Sequence, residues 1–161
     1  MGEKGLAGKW FGFEPAIRTP LIISSIRSSL PAKTVFDFSL NIDLAPTILA
    51  LAGVETQKQL FHGRNLLDTT QTARKWWFYE NLLDDRRIPH NVGIRSLRYK
   101  YLCFPQYDYE MLFDLNQDSG ENINLAFDDN YREILQQYRQ LTHESIRTLI
   151  VHSSQLECGL I

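Results

Sequence analysis

Residues 92–104 read VGIRSLRYKYLCF, and this stretch decides the fold of the second half of the chain. Apolar and aromatic side chains alternate with polar ones along it, which is typical of a β-strand with one buried face. The stretch predicts either one long strand or two strands paired across a turn near residues 96–98. Further strands are predicted at residues 76–82 and 110–115, the latter closed by the turn sequence NQDSG.

A long amphipathic helix is predicted after these strands, from about Asp129 to Val151. Its apolar residues recur at steps of three and four, so they form one stripe that would pack on a sheet. Capping groups are available at residues 128–130, and Glu133 would complete a capping box with Asn130. A helix on a small antiparallel sheet is the economical arrangement for this half of the chain.

The first half of the chain has a different pattern. Its first twenty residues are rich in glycine and aromatic residues, which predicts a tightly bent loop. Pro20-Leu21-Ile22-Ile23 predicts a short buried strand. A helix is predicted at residues 43–53, with Asp43 as its N-cap, Pro46 in its first turn and Gly53 at its end.

Bulk composition excludes several classes of function. Lysine and arginine total 17 against 19 aspartate and glutamate residues, so the net charge is −2 and no nucleic-acid partner is expected. No apolar run approaches the roughly 20 residues that span a bilayer, and no signal peptide is recognisable, so we expect no membrane partner. Two cysteines in different contexts, Cys103 and Cys158, give weak support for a disulfide, and the cellular compartment stays open.

Four stretches, in one order, resemble the sulfatase family of the alkaline-phosphatase-like superfamily. The first reads GEKGLAGKW at residues 2–10, followed by FEPAIRTPLII at 13–23, and the second reads NIDLAPTIL at 41–49 with AGV at 52–54 and GRNLL at 63–67. The third reads GIRSLRYKY at 93–101, and the fourth reads LFDL at 112–115, with Asp118, Glu121 and NLA at 124–126. The resemblance covers the chain to about Leu149, and it departs from the family pattern at Lys4, where histidine is usual, and at Ser119, where proline is usual.

The resemblance implies the C-terminal portion of a sulfatase, with a fold between α/β and α+β. Residues 1–70 would be the end of the large α/β domain, with an active-site loop, a strand and a helix. Residues 71–150 would be a C-terminal subdomain in which a small antiparallel sheet is packed by the long helix. Residues 151–161 would be a tail.

The resemblance also assigns candidate substrate contacts. Lys9 stands where the family's sulfate-binding lysine is found, and an ammonium group there would stabilise charge that builds on the sulfate oxygens. His90 and Arg95 fall where the C-terminal subdomain of such enzymes borders the substrate cleft, and an arginine there could hold a carboxylate or a second sulfate of a sugar. Each of the three also has a structural alternative, as a loop or strand residue with local partners.

The catalytic groups of the family are not found in this sequence. Sulfatases of this kind use a formylglycine made from the motif Cys/Ser-x-Pro-x-Arg, together with calcium bound by carboxylates, and both lie upstream of the first stretch. Cys103-Phe104-Pro105 begins like that motif, but Tyr107 occupies the position of its arginine. We therefore expect no catalytic residue and no metal site in this chain, and no activity from the chain alone.

Two alternatives remain open from the sequence. The chain could be a non-catalytic truncated or split-gene product that binds a partner, such as an upstream polypeptide that carries the catalytic groups. It could also be a piece of a related phosphatase or phosphodiesterase, because the superfamily shares one scaffold and a scaffold does not fix the substrate. Truncation would leave the apolar residues 21–23 exposed, which predicts aggregation or pairing.

Overall fold

The computed structural model of the chain describes residues 3–5, 9–24, 32–54, 61–83 and 88–149. These residues form two compact units. One comprises the described parts of Met1–Ser24 and Trp76–Ile161, and the other comprises those of Ser25–Lys75. The N-terminal segment packs on the sheet that begins at Trp76, and the boundary at residue 70 stays a prediction.

The first unit is built on a four-stranded antiparallel sheet with the order β1-β2-β3-β4. The strands are β1 (Trp76–Asn81), β2 (Asn91–Ser96), β3 (Tyr99–Phe104) and β4 (Tyr109–Asp114). The predicted strands are confirmed, and residues 92–104 form two strands rather than one. Ser96 closes the tight connection between β2 and β3, where its hydroxyl accepts a hydrogen bond from the Tyr99 amide at 3.0 Å.

One face of this sheet is covered by the long C-terminal helix, α3 (Arg132–Leu149). The predicted helix is confirmed, although its first turn, Asp129–Tyr131, is a 3-10 helix capped by the Asp128 side chain rather than by Asn130. Buried side chains of the helix meet alternate side chains of the strands in one core: Val92, Ile94, Tyr101, Cys103, Leu112, Leu135, Tyr138 and Ile146. This alternation is what a period of two residues requires of a strand.

The opposite face of the sheet carries the other alternating set of strand residues, which includes Tyr79, Asn91, Lys100 and Leu102. The N-terminal segment covers this face. It contains one short helix, α1 (Glu14–Ile17), preceded by an extended stretch from Lys9 to Phe13. The sheet therefore lies between a long helix and an irregular segment.

The predicted strand at Pro20-Leu21-Ile22-Ile23 is wrong, because this stretch is extended but pairs with no strand among the described residues. Ile22 is 89% exposed. A β-strand needs a neighbour for its backbone hydrogen bonds, and an apolar run without one stays irregular.

The second unit contains a 3-10 turn (Asn41–Asp43) that leads into α2 (Leu44–Leu51). The predicted helix is confirmed, and Gly53 ends it with φ +70°. The predicted role of Asp43 as the side-chain cap is wrong. Its carboxylate instead accepts hydrogen bonds from the amides of Leu40 and Arg64, both at 2.8 Å, and from the Arg74 guanidinium, which holds its pKa below the usual range despite burial.

Across the described residues, no helix is both long enough and apolar enough to span a membrane. The proposed tail at residues 151–161 lies outside the described residues.

Candidate functional site

Lys9 is exposed and lies directly before an anchored backbone group, the carbonyl of Trp10. Three side chains of the sheet donate hydrogen bonds to this oxygen: Asn91 Nδ2 at 3.1 Å, Tyr79 Oη at 3.4 Å, and Asn81 Nδ2. Burial raises the pKa of Tyr79 to about 12, so its hydroxyl keeps the proton that it donates at neutral pH. The backbone that follows Lys9 is therefore fixed by strands β1 and β2.

The two asparagines reach one carbonyl because of the sheet register. Asn81 ends β1, Asn91 begins β2, and the two residues pair directly across the antiparallel ladder. Side chains of directly opposite residues point to the same face of a sheet and lie close together. The pair thus presents two amide groups side by side to the segment that crosses above them.

Close packing holds the next three residues of the segment. A Cβ atom on Gly12 would lie 2.6 Å from Leu102 Cδ2 and 3.1 Å from Tyr79 Cδ1, so any larger residue would force these two side chains to shift. On either side, Phe11 packs against Phe104 with ring centroids 5.8 Å apart. Phe13 packs in the same way against Phe113 at 6.1 Å. Such ring pairs are oriented contacts as well as buried apolar surface.

A buried charge cluster ends the anchored segment. The Glu14 carboxylate lies 2.8 Å from Arg95 Nε and 2.7 Å from Lys100 Nζ. Burial alone would raise the pKa of Glu14, but the hydrogen bonds from Arg95 and Lys100 outweigh it and the pKa is lowered. Arg18 lies one helical turn from Glu14, but the Glu14 carboxylate contacts the sheet residues Arg95 and Lys100 instead.

Glu121 completes this cluster from the turn after β4. Its Oε1 lies 2.6 Å from Lys100 Nζ, and its Oε2 accepts a hydrogen bond from the Glu14 amide at 2.8 Å. The φ angle of Glu121 is +55°, a left-handed conformation that is uncommon for a residue with a side chain. These two contacts stabilise the left-handed conformation of Glu121, because both need its carboxylate to point into the cluster.

Lys4 stands where the family pattern usually has histidine, and its side chain contacts the turn at Glu121. Its ammonium group donates hydrogen bonds to the Glu121 carbonyl and to Asn122 Oδ1, and it lies 5.5 Å from the centre of the Phe13 ring. Lys4 therefore connects the N-terminal residues to the turn at Glu121.

The three predicted substrate contacts fall in two places. His90 is half-buried, donates its backbone N–H to Gln106 Oε1 at 2.9 Å, and precedes Asn91, so it lies at the same end of the sheet as Lys9. Arg95 lies four residues beyond Asn91 along β2, about 13 Å from it at the usual rise of a strand. Its guanidinium contacts Glu14, which favours a structural role, and substrate contact by any of the three stays a prediction.

Nothing in the sequence marks Asn81, Asn91 and Tyr79 as site residues, and Lys100 and Glu121 stand out only as parts of the stretches that resemble the family. Alternation along the strands already places the first four on one face. What the sequence lacks is a signal that residues 9–14 cross that face, because this packing joins residues that are 69 to 107 positions apart.

Acidic residues in the turn from Asp114 to Asp118 have structural partners. Asp114 accepts hydrogen bonds from Arg98, which hold its pKa below the usual range, and Asp118 accepts from the amides of Ile123 and Asn122, with the same effect. Among the described residues, no three histidine, cysteine, aspartate or glutamate side chains are grouped as metal ligands. Calcium binding by an intact relative stays a prediction.

Cys103 lies within β3 and is buried. It is disulfide-bonded, which differs from the weak support that the sequence gave for such a bond. The other cysteine, Cys158, lies outside the described residues. The Cys103 side chain packs in the core of the first unit.

Comparison with known proteins places these features in a family context. The model of the family "N-sulphoglucosamine sulphohydrolase, C-terminal" matches residues 2–148. The chain is 26% identical to N-acetylglucosamine-6-O-sulfatase of Bacteroides thetaiotaomicron, over 90% of the chain and 28% of the relative. It is 28% identical to arylsulfatase A of Bos taurus, over 83% of the chain and 31% of the relative.

A solved structure shows the same fold. The chain resembles the solved structure of a 2-O GAG sulfatase with a TM-score of 0.58 and 28% identity, over 65% of the chain and 24% of that structure. The predicted resemblance to the C-terminal portion of sulfatases and the predicted fold class are confirmed. The chain spans less than a third of the length of these relatives.

Proposed function

The chain belongs to the N-sulphoglucosamine sulphohydrolase C-terminal family, and from this premise we propose that it forms the C-terminal part of an enzyme that hydrolyses sulfate esters. The observation that carries the proposal is the match across nearly the whole chain, residues 2–148, together with the anchored segment after Lys9. In this proposal the chain contributes substrate contacts, and the residues that attack sulfur belong to the region that precedes the matching segment in sulfatases.

Lys9 is the proposed sulfate contact. A sulfate ester carries a negative charge, and attack at sulfur places more charge on its oxygens. A lysine stabilises this charge most effectively when its position is fixed before the reaction. The fixed Trp10 carbonyl supplies such a constraint for the backbone beside Lys9, while the Lys9 side chain itself remains exposed.

The proposed substrates are sulfated sugars. One relative is named as an N-acetylglucosamine-6-O-sulfatase, which supports a sugar sulfate as the class of substrate. His90 is the proposed second contact, because it lies at the same end of the sheet as Lys9 and is partly exposed. Arg95 is the weaker candidate of the two, because Glu14 already holds its guanidinium.

The calcium ion and the formylglycine of an intact enzyme would be supplied by other residues. Calcium would neutralise charge on the sulfate oxygens. The described residues offer no group of acidic side chains for it.

A sulfate-release assay tests the proposal in two steps. The 161-residue protein alone is expected to release no sulfate from an aryl sulfate. An intact enzyme, in which the coding sequence upstream of Met1 supplies a Cys/Ser-x-Pro-x-Arg motif, is expected to release it, and Lys9→Ala should lower kcat/KM by about 100-fold or more, as for loss of a group that stabilises transition-state charge.

The matched control is Lys33→Ala, which removes another exposed lysine and should leave kcat/KM unchanged. Turnover by the 161-residue protein alone would contradict the proposed division of roles. An intact enzyme that cleaves an aryl phosphate and not an aryl sulfate would point to the phosphatase alternative.

A second candidate function is that of a partner-binding module. It is favoured by apolar side chains that each unit exposes, Ile22 at 89% and Phe36 at 90%. The partner would be a separate polypeptide with the catalytic groups. Restoration of sulfate release when two separately purified polypeptides are mixed would support it, whereas activity from a single continuous chain only would reject it.

A further inference from the structure

We propose that Asn91 is a positioning residue for Lys9, acting through the carbonyl of Trp10. This inference rests on the proposed function, in which Lys9 contacts the sulfate group. It assigns to Asn91 a role that neither the family resemblance nor the comparisons give to it.

The first observation is the orientation of the Asn91 side-chain amide. Its Nδ2 donates to two backbone carbonyls, that of Trp10 at 3.1 Å and that of Pro89 at 3.2 Å. The reversed orientation would place Oδ1 against two carbonyl oxygens, so the contacts themselves assign nitrogen and oxygen. The amide therefore links the N-terminal segment to the residues that lead into β2.

The second observation is that this orientation leaves a buried acceptor unsatisfied. Asn91 is 0% exposed, and its Oδ1 has no hydrogen-bond partner. A buried polar atom without a partner is destabilising, and an apolar residue of similar size would avoid this cost. The two hydrogen bonds that Asn91 donates, to Trp10 and Pro89, offset this cost.

The third observation is the lack of regular structure around Trp10. Residues 9–13 belong to no helix and no strand, so no backbone ladder fixes their path. Their position depends instead on side-chain donors and on ring packing by Phe11 and Phe13. Of the three donors to the Trp10 carbonyl, Asn91 is the one that is fully buried.

Asn91→Asp tests this role, since it keeps the side-chain size and replaces the donating NH₂ with a carboxyl group. When ionised, this carboxylate would repel the Trp10 carbonyl, and when protonated it would again have an O–H to donate. Burial raises the pKa of a carboxyl group, so protonation is reached in mildly acidic solution.

The measurement is amide hydrogen exchange of the peptide that covers residues 9–18, in the 161-residue protein, because the amides of Glu14, Ala16, Ile17 and Arg18 within it are hydrogen-bonded. At about pH 8 the protection of these amides in Asn91→Asp should fall roughly tenfold relative to the unchanged protein, because their anchor is lost. At about pH 5 their protection should return to within roughly twofold, because the protonated carboxyl donates again. Asn116→Asp, the same change at an exposed turn residue, should show neither effect.

A merely structural role would loosen the whole unit, so the amides of α3 would lose protection at about pH 8 together with those of the N-terminal segment, and that result would overturn the inference. Unchanged exchange in Asn91→Asp, or a change that does not depend on pH, would overturn the inference.

A kinetic comparison in the intact enzyme separates this inference from the proposed function. Asn91→Asp should lower kcat/KM at about pH 8 and recover part of the loss at about pH 5, measured against the unchanged enzyme at each pH. Loss of activity in Lys9→Ala with none in Asn91→Asp would overturn the inference and leave the proposed function standing. No loss in Lys9→Ala would remove the proposed function, whatever the exchange data show.

Discussion

Lys100 Nζ and Glu121 Oε1 lie 2.6 Å apart, with 1% and 0% of their side chains exposed. Glu14, the next carboxylate, shares the same ammonium group at 2.7 Å. Removing water from charged groups is costly, and the cluster is tolerated because each charge has an opposite charge and a hydrogen bond within reach. The N-terminal segment is thereby joined to β3 and to the turn after β4.

Replacing Lys100 should destabilise the first unit strongly. Lys100→Met keeps the length of the side chain but leaves Glu121 without its cation, and breaking a buried pair in this way costs about 3–5 kcal/mol. The free energy of unfolding can be measured by urea denaturation with tryptophan fluorescence, because all three tryptophans, Trp10, Trp76 and Trp77, belong to this unit.

Arg132→Met is the matched control for this change. Arg132 pairs with Asp129 on the surface, where both side chains are largely exposed, and little change in stability is expected. Equal stability of Lys100→Met and the unchanged protein would contradict the view that the cluster holds the segment on the sheet.

Much of this architecture follows from local pattern. Alternation between residues 92 and 104 predicts the strands, and the spacing of apolar residues predicts α3, because both depend on which face of an element is buried. The cluster around Glu14 could not be predicted in this way. The nearest basic residue at helical spacing is Arg18, and the partners that the structure selects, Arg95 and Lys100, are distant in sequence.

The same reasoning explains the error at residues 20–23. An apolar run predicts that a segment is buried, but it does not identify the residues that would pack against it. In the described residues nothing pairs with this run, so it remains extended and exposed. The contact of Trp10 with Asn91 could not be predicted for a related reason. Its acceptor is a backbone carbonyl, and every residue has one, so no sequence pattern identifies it.

Gly63 should tolerate no side chain. A Cβ atom at this position would lie 1.9 Å from the Ile42 carbonyl oxygen and 2.9 Å from the Asp43 nitrogen, and both are backbone atoms that cannot move aside. Gly63→Ala should destabilise the second unit by about 3 kcal/mol or more. The measurement is hydrogen exchange in α2, because this unit contains no tryptophan.

Gly120→Ala provides the comparison for this change. There the nearest atom to an added Cβ is the Asn122 side-chain nitrogen at 2.4 Å, which lies at the end of an exposed side chain. Gly120 lies in the first unit, so Gly120→Ala is measured by urea denaturation with tryptophan fluorescence, and a smaller loss of stability is expected. A result in which α2 exchanges at the same rate in Gly63→Ala as in the unchanged protein would argue against the close approach to Ile42.

Ile22→Lys should reduce self-association of the isolated protein. Ile22 is 89% exposed within a short apolar run, and such a run without a strand partner favours pairing between molecules. A charge at this point opposes such pairing without disturbing a core. Sedimentation velocity should show more monomer for Ile22→Lys than for the unchanged protein, with the same unfolding midpoint.

Ile123→Lys is the control for self-association, since Ile123 is 62% exposed and stands between two asparagines, Asn122 and Asn124. If the unchanged protein is monomeric at the same concentration, or if both substitutions act equally, residues 21–23 are not the cause.

Glu14 should make the stability of the first unit depend on pH in acid. Its folded-state pKa is lowered, chiefly because the hydrogen bonds from Arg95 and Lys100 outweigh the effect of burial. A lowered pKa contributes stability above the unfolded-state value of about 4.3. That contribution is lost as the pH falls through the folded-state pKa, when the carboxylate is protonated. Glu14→Gln should therefore flatten the fall in the urea midpoint below about pH 4 and lower the midpoint at neutral pH.

Glu144→Gln, on the exposed side of α3, should retain the acid dependence, and an equally flat profile in both variants would show that the dependence arises elsewhere.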